Sequence, residues 1–159
     1  MSDWVTVLQS MSWGAALRIA VAAVLGAVIG LERSRGAHPA GLRTNMLIAV
    51  SACLFTILSI EGFPLKGASQ DTARVAAGIV AGVGFLGAGV LIRTRSNVQG
   101  LTTAATIWLV AAVGMAVGAG AFFLAVFTVL ISMFVLVVLA PVSRRLEERA
   151  GEDKDSRDS

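Results

Sequence analysis

Apolar residues fill long stretches of this chain, and polar and charged residues are gathered into the short breaks between them. Five apolar runs result, at 15–31, 44–60, 75–92, 101–117 and 121–142. None contains Asp or Glu, and the first four are only seventeen or eighteen residues long. A bilayer core of about 30 Å takes roughly 17–25 helical residues, so each run predicts a transmembrane helix that crosses with little tilt. Gly118-Ala-Gly120 leaves room for only a tight turn, and the combined length of the last two runs favours a hairpin over one broken helix. Ahead of the first run, Trp4, Val5, Leu8 and Met11 recur at helical spacing with Trp13 close behind, which predicts a short helix lying in the membrane interface. The fold class expected is an all-α integral membrane protein: a transmembrane domain over 1–142 and a charged tail over 143–159.

Composition agrees, with 56% hydrophobic and 14% charged residues among 159. The net charge of +3 is no nucleic-acid signal, because the basic residues flank apolar runs, where they suit contact with anionic lipid heads. Cys53 stands alone in an apolar run, which excludes an intrachain disulfide and a thiolate metal cluster. No Lys or Arg precedes Arg18, so the basic opening of a cleavable signal peptide is not expected.

Charge does fix an expected orientation. Arg33, Arg35 and Arg43 in one break, Arg93 and Arg95 in another, and five basic residues of the tail place ten on one side. Lys66, Arg74 and Arg18, the last able to snorkel from the membrane edge, make three on the other. The positive-inside rule then predicts an outer N-terminus and a cytoplasmic tail. The tail mixes five basic with six acidic residues and has almost no apolar content after Ala150, so disorder is expected there.

Glycine spacing supplies candidate packing positions. Gly78, Gly82, Gly84, Gly87 and Gly89 stud the third run, and Gly26/Gly30, Gly78/Gly82 and Gly114/Gly118 are each four apart. In lipid, small residues at this spacing let helix backbones approach closely, within a chain or between subunits of a homo-oligomer. Gly82-Val-Gly-Phe-Leu-Gly87 matches G-x-G-x-x-G, but it lies inside an apolar run without the strand, helix and acidic residue of a dinucleotide site. A weak repeat relates 26–44 to 87–103: an apolar helix end, a basic turn, then Gly-Leu-x-Thr opening the next helix. Two parallel-repeat hairpins plus a fifth helix would give that pattern.

Several motifs resemble the MgtC/SapB family of bacterial membrane proteins. They are Gly82 to Gly89, Gly100 to Trp108, Gly30-Leu-Glu-Arg33, Gly41-Leu-Arg-Thr44, and Asp71 with Arg74. The chain is similar to a short form, without the cytoplasmic domain that some members carry. It departs from the family pattern at Thr72, where proline is common, at Gly78, where glutamine is common, and at Gln99, where a basic residue is usual. The resemblance implies a role in growth at low magnesium and survival inside host cells, and restraint of a membrane ATPase.

Glu32 is the only acid in the two basic turns. Its plain reading is a solvated interfacial charge paired loosely with its neighbours, worth little; the sharper one pairs it with an arginine of the other hairpin. Glu32, Arg33, Arg43, Thr44, Asn97, Thr102 and Thr103, which fall within the family motifs, form the candidate functional cluster. Thr102 and Thr103 serve equally as caps or backbone hydrogen-bonding groups of the fourth helix, and His38 reads as an exposed loop residue. Asp71 and Arg74 form a candidate pair at the outer mouth of the third helix, where the helix dipole alone would account for the acid. No nucleophile–base pair, metal cluster or phosphate loop is legible, so no enzyme, no bound metal and no cofactor are expected, with magnesium acting at most as an indirect signal. Two function classes stay open: a regulatory or interaction protein of the membrane, and a transporter of magnesium or another ion.

Overall fold

A computed structural model describes residues 12–36, 38–62, 72–93 and 98–139. The predicted interfacial helix and the charged tail lie outside these residues, as do Asp71 and Asn97. Each apolar run becomes a helix: α1 Ser12–Arg35, α2 Leu42–Ile57, α3 Thr72–Gly89, α4 Leu101–Gly118 and α5 Phe122–Phe134. Wider π turns extend α2 over Leu58–Gly62 and α5 over Val135–Leu139. Four of the five are long and apolar enough to cross a membrane; the third, Ala73–Gly89, is apolar but shorter.

The third run was expected to stay helical to Ile92, and it stops at Gly89. Val90 and Leu91 close back onto Gly87 and Ala88 in tight i,i+3 turns. Ile92–Arg93 (β1) then pairs antiparallel with Val98–Gln99 (β2), a two-residue ladder between α3 and α4. Gly100 follows with φ +90°, and a side chain there would also run into the Val90 carbonyl, so the sharp entry to α4 requires glycine. Both repeat glycines, Gly41 and Gly100, precede a helix, but Gly41 is extended and Gly100 left-handed.

The hairpin between α4 and α5 forms as expected. Gly120 takes φ +81° and donates to the Val117 carbonyl, while Ala121 donates to that of Ala116. This paired closure caps the carbonyl end of α4 and reverses the chain at once.

Helix α2 lies between α1 and α4. Side-chain atoms added at Gly26 or Gly30 of α1 would come within 2.8 Å of Ala49 and Leu42. On the other flank, Gly114 lies against the Ala49 backbone, and an atom added at Gly118 would stand 2.7 Å from the Cys53 carbonyl. Without a hydrophobic force between helices in lipid, such backbone proximity is what holds them together. The core is small and branched: Ala22, Ile29, Ala49, Cys53, Val110, Val113 and Val117 are all buried.

The glycines singled out in the third run behave otherwise. Atoms added at Gly78, Gly82, Gly84 or Gly89 would meet nothing within 4 Å, and only Gly87 touches a neighbour, Ala104, at an ordinary 3.6 Å. Within the chain, close helix packing therefore belongs to Gly26, Gly30, Gly114 and Gly118, and of the α3 glycines only Gly87 meets another helix. The reason is placement: α3 packs chiefly on α4 through Val83 and Gly87 and leaves most of its surface exposed.

Candidate functional site

Among the described residues, the charged side chains of the bundle gather at its two ends. At the end formed by the α1–α2 turn, Arg33 is 3% exposed and its Nε donates to the Glu32 carboxylate. Of the two readings of Glu32, the described residues show the pairing with a neighbour, Arg33; the side chains of Arg93 and Arg95 in the other hairpin lie outside them. The Arg33 carbonyl accepts from the His38 amide (3.2 Å) and from His38 Nδ1 (3.1 Å), so this half-buried histidine caps α1. That differs from the exposed loop residue read from sequence. Carbonyls at a helix end lack intrahelical donors, and the ring supplies one.

Asn45 completes this end. It is wholly buried in the first turn of α2, and its Nδ2 donates to the carbonyls of Ala40 (2.9 Å) and Gly41 (2.8 Å). Its Oδ1 is the one buried side-chain polar atom among the described residues without a hydrogen-bond partner. The Leu42 amide donates to Ser34 Oγ at 2.8 Å, which fastens the start of α2 to the end of α1. Gly30 makes room for all of this by lying against Leu42 and Asn45. Sequence reasoning missed Asn45; an amide directly after the Gly-Leu-Arg-Thr motif, at the mouth of an apolar run, was the available signal.

The rest of the expected cluster is spread out. Arg43, Thr44 and Thr102 are exposed, whereas Thr103 is buried on α4. Among the described residues, no hydrogen bond joins Thr102 or Thr103 to Glu32, Arg33 or Arg43. The hydroxyl that bonds back along α4 belongs to Thr106, which donates to the Thr102 carbonyl at 2.7 Å.

At the opposite end, one guanidinium nitrogen of Arg18 meets Glu61 Oε1 at 2.7 Å and the Gly118 carbonyl at 3.2 Å. Arg18, read from sequence as able to snorkel to the head groups, ties α1 to the π turn after α2 and to the end of α4. Glu61 is carried by the π turn that closes α2. Two opposite charges at the outer ends of neighbouring antiparallel runs were the legible signal. Replacing either with a neutral residue, Arg18→Met or Glu61→Gln, is expected to lower stability by about 1–3 kcal/mol, between an exposed and a buried pair. Thermal unfolding in detergent checks this, and the exchange Arg18→Glu/Glu61→Arg should recover part of the loss. Arg74 is exposed in the first turn of α3.

These features define a polytopic helical membrane protein with a polar structure at each end of an apolar bundle. The chain belongs to the MgtC family, which matches residues 19–145. Over 134 residues it is 40% identical to the putative magnesium transporter YhiD of Escherichia coli K12, covering 82% of this chain and 62% of YhiD. Protein SapB of Bacillus subtilis is 42% identical over 89% of the chain and 63% of its own length. Protein MgtC of Salmonella typhimurium LT2 is 40% identical over 83% of the chain and 55% of its own. The chain thus spans less than two thirds of these relatives. No solved structure matches it.

Proposed function

We propose that this is a non-enzymatic regulator of the bacterial inner membrane, linked to adaptation to low magnesium and to survival inside host cells. It acts by contact with another membrane protein, a membrane ATPase foremost, and holds no metal or cofactor of its own; magnesium enters as an indirect signal. The orientation is N-terminus outside and tail cytoplasmic. One observation carries the reading: Glu32, Arg33, His38 and Asn45 at one end are separated from Arg18 and Glu61 at the other by the apolar core of Ala22, Ile29, Ala49, Cys53, Val110 and Val113. Ion paths through a bilayer are marked by ionisable groups inside it, and magnesium keeps its oxygen ligands and several waters. An apolar middle suits a protein that presents surfaces at its ends.

Magnesium transport is the second reading, favoured by the name of YhiD. Reconstitution separates the two. The regulatory reading predicts magnesium flux no greater than in protein-free vesicles, with lowered ATP hydrolysis when the protein is added to inverted membranes. Flux that scales with protein content would overturn it.

A further inference from the structure

The face of α2 that carries Arg43 and Thr44 continues down the helix as Leu47, Ser51 and Phe55, spaced by three or four residues. Such spacing puts them on one stripe. At the head of the stripe, Arg43 and Thr44 join Ser34 and His38 around an open recess of about 440 Å³. No described residue forms an ion pair with Arg43. Below it, Leu47, Ser51 and Phe55 face Gly78, Gly82 and Leu86 of α3 across an apolar groove of about 590 Å³. The groove exists because α3 has no side chain at Gly78 and Gly82, where an added atom would meet nothing within 4 Å.

A cationic, hydroxyl-lined recess at the head of a helix stripe whose lower part lines an apolar groove is the complement of an amphiphile. At 1.5 Å per residue the groove runs about 12 Å from Leu47 to Phe55, close to the ~15 Å depth of one leaflet. Basic pockets beside membrane helices hold anionic head groups. We propose that this face binds one anionic phospholipid, its phosphate in the recess against Arg43 and Thr44 and an acyl chain in the α2–α3 groove. On the orientation given above, the lipid comes from the cytoplasmic leaflet. The site stands apart from the regulatory reading and would serve a regulator or a transporter equally.

Native mass spectrometry of the purified full chain tests it, with phosphatidylglycerol, phosphatidylcholine of the same chains, and inorganic phosphate as probes. Wild type should retain phosphatidylglycerol in preference to phosphatidylcholine. Arg43→Gln should lower that preference about fivefold, the share of one basic residue at an anionic surface, and Arg43→Lys should keep it. Arg35→Gln, an exposed arginine outside the recess, should leave it unchanged. Gly82→Leu should fold, because the space is open, and should weaken retention of both lipids by filling the groove; Gly78→Leu should do the same. The proposal is overturned if Arg43→Gln binds like wild type, or if Arg35→Gln loses as much. It is equally overturned if inorganic phosphate displaces the lipid, if both groove variants keep it, or if the groove instead takes a second copy of the chain.

Discussion

Gly114→Leu should all but eliminate recoverable folded protein, while Gly82→Leu should be recovered at close to the wild-type level. Gly114 lies against the Ala49 backbone, and Ala49 is also the residue that Gly26 meets from the opposite flank. A leucine at Gly114 would therefore force α4 off α2 with no room for α2 to retreat toward α1. Inserting even small groups into well-packed sites costs about 1–3 kcal/mol, and here the obstacle is backbone that cannot rotate away. The expected cost exceeds about 3 kcal/mol, a large part of the whole stability of a small domain. Yield and monodispersity in detergent report the result. Equal loss at Gly82 and Gly114 would show that the exposed face of α3 is an interface in the membrane.

The second large effect concerns Arg33. It is almost wholly buried, and Glu32 is its ion-pair partner. Glu32→Gln alone leaves a buried guanidinium without a countercharge, and removing one member of a buried pair costs about 3–5 kcal/mol. Replacing both with neutral groups of similar volume is often neutral or stabilising. Thus Glu32→Gln should lower thermal stability sharply, Arg33→Met should lower it less because Glu32 keeps some access to water, and Glu32→Gln/Arg33→Met should return close to wild type. A double variant as unstable as Glu32→Gln would mean that Arg33 is held by more than its neighbour's carboxylate.

The helices were legible because lipid imposes a length on each apolar run, and every run of that length became one. Their contacts were less so. Gly78/Gly82 and Gly114/Gly118 have the same spacing in sequence, yet only the second pair abuts another backbone. Spacing marks a face on which approach is allowed; which face is used depends on how five helices share one another's surfaces. Glu32 was visible as a lone acid among arginines, but spacing could not choose between a neighbour and the other hairpin as its partner, since neighbours in sequence ordinarily point apart on a helix. Arg33 reaches it from a buried position that only the α1–α2 packing creates. Asn45 and the Arg18–Glu61 tie escaped for the same reason: each takes its importance from chain 5, 43 or 100 residues away.

The claim that the Glu32–Arg33 end carries function, and does not merely hold the fold, is tested most directly with the double variant. Glu32→Gln/Arg33→Met should reach the membrane at wild-type level and still fail to restore growth at low magnesium to a strain lacking its own family member. Wild-type rescue by that variant at equal membrane abundance would contradict the account and reduce the pair to a structural one.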